Sequence, residues 1–211
     1  MILIRTDHDS ATHYLYEACK PIIDEAKSKK IPLVSVEGDA IQLDYIRKRI
    51  EKSNPKFIFF NGHGSESSIC DNKKNELVTE KEAGIFSKTI VFARSCNCLR
   101  GLGREAVRRG CNAFIGYKRN FWISHLDGYM SRPMHDAAAK PVLETSNMVA
   151  ISLMHGSSVR ESLEKSRRKS QEHILELIYR NDPFMSATIS ALMSNLSALD
   201  YYGDEKAVLG Y

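Results

Sequence analysis

An α/β fold with a mostly parallel central sheet is predicted by three features of the chain. Short apolar runs alternate with amphipathic helical stretches from the start of the sequence to Tyr117. The links between them are short, which implies parallel strands joined by right-handed crossovers. The runs Phe57-Ile58-Phe59-Phe60 and Ile90-Val91-Phe92 are apolar at every position, as strands covered on both faces must be.

Each element has its own signal. Ile2-Leu3-Ile4 predicts a first strand, and Leu15, Ala18, Ile22, Ile23 and Ala26 predict a helix over Ala11–Lys29. Ile31–Val36 reads as the second strand, followed by a helix capped by Asp39, with Ile41, Tyr45, Ile46 and Ile50 as its apolar stripe. Ser53-Asn54-Pro55 ends that helix and the Phe57–Phe60 strand follows. Ser65–Lys88 is polar and turn-rich, too long for an ordinary connection, and reads as a functional loop with a small hairpin near Glu76–Thr79. A strand from Thr89 into Cys96, a short helix over Leu102–Arg109 closed by Gly110, and a strand over Asn112–Tyr117 complete the alternation. Beyond about Ser124 the pattern is mostly helical, with stripes ending near Gly156, before Asp182-Pro183 and at Leu199. No linker or new strand series separates these helices. The expectation is one domain over 1–211, with an α/β core over 1–123 and a helical continuation over 124–211.

Composition narrows the function classes. Hydrophobic residues make up 43% and charged residues 27%, the profile of a water-exposed globular chain. No apolar stretch reaches the roughly 18 residues of a membrane span, and Met1–Arg5 turns polar too quickly for a secretory signal, so a cytoplasmic protein without a membrane role is expected. The five cysteines are an odd number, and thiols are expected rather than a disulfide framework. Cys96-Asn97-Cys98 has one intervening residue and no second ligand pair, which argues against structural zinc. The net charge of +4 comes from scattered residues, and the basic stretch Arg160–Lys169 is interleaved with glutamates; a solvated helix face is expected there, and no direct nucleic-acid contact.

The chemistry concentrates at two strand ends. Phe57–Phe60 runs into Asn61-Gly62-His63-Gly64, and Thr89–Ser95 runs into Cys96. Strand carboxyl ends are where open α/β sheets bind ligands, and a histidine beside a cysteine there can act as base and nucleophile. Helix N–H groups following Cys96 are expected to favour its thiolate. The N–H groups of Gly64 and Cys96 could converge on the oxyanion of a tetrahedral intermediate. The remaining histidines, His8, His13, His125, His135, His155 and His173, are assigned to surface or core roles, and Asp7 and Asp9 to turn capping.

In order and spacing these segments resemble the caspase-like cysteine peptidases of clan CD, and their CHAT branch in particular. The resemblance rests on Gly62-His63-Gly64, about thirty residues, Ala93-Arg94-Ser95-Cys96, then Leu102-Gly103 and Gly110–Tyr117, with weaker support from Leu153–Leu163. It implies a caspase-haemoglobinase-like α/β/α sandwich with a mostly parallel central sheet and additional C-terminal helices. It also implies a His63/Cys96 dyad, no cofactor and no obligatory third carboxylate. Three departures set this chain apart from animal caspases: there is no Gln-Ala-Cys, the interval from His63 to Cys96 is shorter than their roughly 50 residues, and Cys98 is a second thiol close to the first. In relatives the residue two before the nucleophile lines the pocket for the side chain preceding the cut. Here that residue is Arg94, which would favour a substrate Asp or Glu, unless it pairs with a structural carboxylate such as Asp71 or Glu105. The implied function is a cysteine endopeptidase acting on a protein substrate, restrained by a regulatory or sensor partner, in a bacterial signalling or antiviral defence pathway. Two rivals remain. One is a catalytically silent caspase-like interaction module; the other is a nucleotide-binding α/β protein, for which no Gly-x-Gly-x-x-Gly or Walker sequence is present.

Overall fold

The computed structural model describes residues 1–181 and 183–210. Six strands form one sheet in the order β2-β1-β3-β6-β7-β8, where β1 is Ile2–Arg5, β2 Val34–Glu37, β3 Phe57–Asn61, β6 Ile90–Arg94, β7 Ala113–Tyr117 and β8 Leu199–Gly203. All pairs are parallel except β7 with β8. The small antiparallel pair β4 (Ser68–Cys70) and β5 (Glu76–Thr79) stands apart, as the hairpin expected inside the long polar excursion.

Helices cover both faces, which is why the central strands carry no polar face. On one side Phe57, Phe59 and Phe92 pack with α2 (Lys20–Ser28), α5 (Ala139–Met154) and α6 (Val159–Arg180). On the other, Ile58, Phe60 and Ala93 meet α3 (Leu43–Ser53), α4 (Arg104–Arg108) and the β4–β5 hairpin. The architecture is the caspase-haemoglobinase-like α/β/α sandwich, with α5, α6 and α7 (Met185–Ala198) as the additional C-terminal helices.

Three local expectations need correction. The single helix over Ala11–Lys29 is two: α1 (Ser10–Glu17) ends and α2 begins at Lys20, because Pro21 has no N–H and its ring would strike the carbonyl of Glu17. Asp39 does not cap α3. It sits in a 3-10 turn at Gly38–Ala40, and Gln42 occupies the N-cap, its amide Nε2 donating to Asp39 O at 2.9 Å. Leu199 does not end in helix but opens β8, whose Tyr201 and Tyr202 are good strand formers on the edge beside β7. The expected helix stop after Arg180 is present, capped by Asn181 in a left-handed conformation, while Asp182 lies outside the described residues.

Candidate active site

The register of the sheet places the two strand-end motifs side by side. Asn61 on β3 and Arg94 on β6 are direct partners in the ladder, so His63 and Cys96 each stand two residues beyond the same rung. Adjacent strands are about 4.8 Å apart, which puts both side chains at one point of the carboxyl edge. They line the same cavity of about 270 Å³, together with Arg94, Ser95 and an apolar wall that includes Leu15, Phe121 and Ile123.

The wall beyond β7 is a segment without regular structure, held by one side chain from α7 and one from the turn ahead of α5. Asn195 of α7 accepts from the Trp122 N–H at 2.9 Å and donates to its carbonyl at 2.8 Å. Buried Asp136, just ahead of α5, accepts from Tyr14 Oη at 2.7 Å and from the N–H groups of Leu126, Ala138 and Ala139. The C-terminal part of the chain therefore does more than cover the sheet: Asn195 and Asp136 fix one side of the cavity, leaving Trp122 55% exposed at its rim.

His63 is oriented by a carboxylate. Its Nε2–H donates to Asp9 Oδ2 at 2.7 Å; a carboxylate can only accept, which assigns the proton to Nε2 and leaves Nδ1 as the basic nitrogen. Asp9 also caps α1 in a reciprocal box with Thr12, and receives Lys74 Nζ at 3.0 Å. Burial pushes the Asp9 carboxyl up, but the Thr12 amide, His63, Lys74 and the Thr12 hydroxyl outweigh it and hold it well below the usual carboxylate range. The assignment of Asp9 to turn capping is thus half of its role. Its contribution to stability and to histidine orientation is present above the ordinary carboxyl pKa and is lost only as pH falls through its depressed value. Asp9→Asn keeps the cap, since asparagine caps as well as aspartate, but leaves the imidazole without its anion. A fall in kcat/KM of about 10- to 100-fold is expected, with a melting temperature lowered by the lost ion pairs to His63 and Lys74, checked by steady-state kinetics and a melting curve.

The thiols differ from expectation. Burial pushes the Cys96 thiol up, with the Phe121 amide partly offsetting it, so no helix terminus holds it as a thiolate at rest. The helical turn after Cys96 begins only at Leu99, a π turn spanning Leu99–Gly103, with Cys98 at its N-cap position. Burial thus disfavours the Cys96 thiolate. Cys98 and Cys111 are buried and pushed up to about 12, and burial also raises Cys19 and half-buried Cys70.

Gly64 is held where only glycine fits: an added Cβ would lie 2.1 Å from Ser95 Oγ and 2.7 Å from Ser68 O. The neighbouring bridge to Ile69 is made by Ser65 N–H to Ser68 O and Cys70 N–H to His63 O, so it does not use the Gly64 N–H. Among the described residues neither Gly64 nor Cys96 donates its N–H to an acceptor, as oxyanion donors at rest require. Ser95 Oγ, buried beside Gly64, also has no partner.

Arg94 lies at the cavity floor, fully buried. Its Nε donates to Asn61 Oδ1 at 2.5 Å, Nη1 to Asn147 Oδ1 at 2.8 Å, and Nη2 to Leu15 O at 3.4 Å, all neutral acceptors. The guanidinium also stands over the Phe59 ring, 5.3 Å from its centroid. Neither carboxylate weighed as its partner reaches it: Glu105 binds Arg108 and Arg109, and Asp71 closes its own turn at Asn75. Burial lowers the Arg94 pKa.

Sequence reasoning missed several neighbours. His8, assigned to a surface or core role, stands 5.3 Å ring to ring from His63, and His125 lines the cavity. Asn147, which holds Arg94, lies in the middle of α5 in the run Thr145-Ser146-Asn147, three consecutive buried polar residues among apolar ones. That polar break was its available signal.

No family model and no curated protein matches this sequence. Solved structures do. The Arg-specific cysteine proteinase gingipain R superposes with a TM-score of 0.66 at 10% identity, covering 98% of this chain and 46% of that one. Its fold resembles that of gingipain R. The complex of the pro- and mature domains of RgpB from Porphyromonas gingivalis gives a TM-score of 0.62, again at 10% identity, covering 98% of this chain and 47% of that one. The chain thus spans about half the length of the gingipain chains it matches. At this identity the likeness to gingipain is one of fold, in agreement with the caspase-haemoglobinase-like architecture.

Proposed function

We propose that the chain is a cysteine endopeptidase in which Cys96 attacks the scissile carbonyl and His63 serves as general acid and base. The observation that carries this reading is the shared rung: His63 and Cys96 leave adjacent parallel strands two residues beyond paired Asn61 and Arg94 and line one cavity, with His63 tied to Asp9. In the first step His63 Nδ1 takes the thiol proton as Sγ bonds to the carbonyl carbon. The N–H groups of Gly64 and Cys96 receive the oxyanion. Protonated His63 then gives its proton to the departing amine, leaving an acyl-enzyme on Cys96 that water hydrolyses through the same base. No step calls for a cofactor.

For the side chain preceding the cut the proposal is an acidic one. Gingipain R is named as Arg-specific, yet no aspartate or glutamate lines this cavity among the described residues, and Arg94 brings a buried positive charge with no carboxylate against it. An incoming Asp or Glu would supply that missing anion. A second reading has its own observation: the donors of Arg94 are engaged and the walls at Leu15, Phe121 and Ile123 are apolar, which suits an apolar side chain.

The assignment to the CHAT branch rests on the two strand-end motifs and their spacing. From it follow the further proposals of a cytoplasmic protein acting in signalling or antiviral defence, and of a sensor or regulatory partner that restrains it. No helix among the described residues is long and apolar enough to cross a membrane.

Two experiments test the reading. Cleavage of a peptide library, read by mass spectrometry of new N-termini, is expected after Asp or Glu; cleavage after Lys or Arg overturns the acidic pocket. Alkylation with iodoacetamide is expected to modify Cys96 faster than Cys70, because His63 lines the same cavity and can take its proton, and to leave Cys19, Cys98 and Cys111 intact in the folded chain, because those three are buried. In the absence of substrate the Cys96 rate should titrate above the ordinary thiol pKa, since burial raises it. Equal slow reaction at all five thiols would favour the silent interaction module.

A further inference from the structure

Next to the cavity, His8, Asp9 and His63 form a cluster larger than the dyad chemistry needs. One donor atom from each lies within 4.8 Å of the others. His63 Nε2 is 2.7 Å and His8 Nε2 3.7 Å from the same oxygen, Asp9 Oδ2. A tetrahedral ion with bonds of about 2.0–2.2 Å to nitrogen and oxygen sets its donors roughly 3.2–3.5 Å apart, so shifts of about half an ångström would bring both histidine–carboxylate pairs into range.

His8 supplies an observation independent of that spacing. Its side chain is only 12% exposed, and neither ring nitrogen meets a hydrogen-bonding partner of proper geometry. Asn72 stands close to the ring without a hydrogen bond of proper geometry to it, and its Oδ1 accepts from the Asp7 N–H at 3.0 Å. Two buried ring nitrogens without partners on a mostly covered imidazole are a cost that a ligand would relieve. The group already facing the cluster is Lys74, whose ammonium lies 3.0 Å from Asp9 Oδ2 on a side chain that is 60% exposed and free to swing into water.

We propose that His8, Asp9 and His63 form a binding site for a divalent transition ion, zinc by donor type, which removes His63 from the dyad while it is bound. Two imidazoles and one carboxylate are a zinc donor set, with a fourth position left to water. For Nε2 of His63 to bind the ion, the ring proton moves to Nδ1. The ring then has no lone pair with which to accept the Cys96 proton. Lys74 competes with the ion for Asp9 and sets how much metal is needed. Only the silencing of the dyad rests on the peptidase reading; the metal binding does not.

The test is titration of the full-length chain with Co²⁺, read by visible ligand-field absorption, followed by displacement with Zn²⁺. The expected result is saturable absorption from a single site that Zn²⁺ abolishes, weakened at least about tenfold in both His8→Ala and His8→Asn and strengthened several-fold in Lys74→Ala. Cys96→Ala should bind as wild type does. Absence of the absorption, or binding unaffected by both His8 variants, overturns the site. A thiolate-to-cobalt charge-transfer band that disappears in Cys96→Ala also overturns it, by placing the ion on the cysteine. Peptide cleavage is assayed alongside: metal binding by a chain that cleaves nothing would mark failure of the peptidase reading and not of the site.

Discussion

Cys96→Ala is expected to lower peptide cleavage by at least about 10⁴-fold while leaving the melting temperature within a few degrees of wild type. The size of the effect follows from chemistry that has no substitute nearby. Cys98, the closest thiol in sequence, is buried, its Sγ directed to the carbonyls of Ala93 and Ser95, and is pushed up to about 12. It cannot take over as nucleophile. The small stability change follows from the position of Cys96, half-buried at a cavity wall where loss of one sulfur opens space already continuous with the cavity. Cleavage measured by new N-termini, beside a melting curve, checks both halves.

Arg94→Met is the second large expectation, and its two readouts should part company. Methionine fills similar volume along Phe59 without bringing a charge into the interior, so the burial cost of the guanidinium disappears as its hydrogen bonds to Asn61 and Asn147 are lost. The opposing effects should leave the melting temperature within about 5 °C of wild type. Cleavage after Asp or Glu should fall by about 100-fold or more, because the anion would then enter an apolar pocket alone. If cleavage after acidic residues is unchanged, Arg94 is a structural group of the floor. If cleavage after apolar residues dominates in both proteins, the second reading of the cavity holds.

Much of this molecule was legible in its sequence because its signals are local. Strands buried on both faces show as unbroken apolar runs, and the Gly-His-Gly and Ala-Arg-Ser-Cys motifs fall directly at their ends, so His63 and Cys96 could be paired without coordinates. What could not be read depended on residues far apart in the chain. Asp9 lies 54 residues before His63, and its capping of α1 is a sufficient local explanation that conceals the second task. Arg94 could be placed at the pocket, but its neutral partners, Asn61 on the neighbouring strand and Asn147 on α5, become visible only when the register and the helix layer are known. The thiolate expectation for Cys96 failed for a related reason. Sequence shows a helix to follow but not the depth of the site or the three-residue delay before the helical turn, and burial outweighs a dipole that begins too late. β8 was missed because its five residues follow a helix without a turn residue, and only the open edge of β7 draws them into the sheet.

The most direct measurement is intact-protein and peptide mass spectrometry after incubation with an acyloxymethyl ketone peptide carrying Asp before the reactive carbonyl. A single adduct on Cys96, absent from His63→Ala and slowed in Arg94→Met, is the expected result. An adduct on Cys70, or labelling of Cys96 that is indifferent to His63, would contradict the assignment of these two strand ends as a catalytic pair.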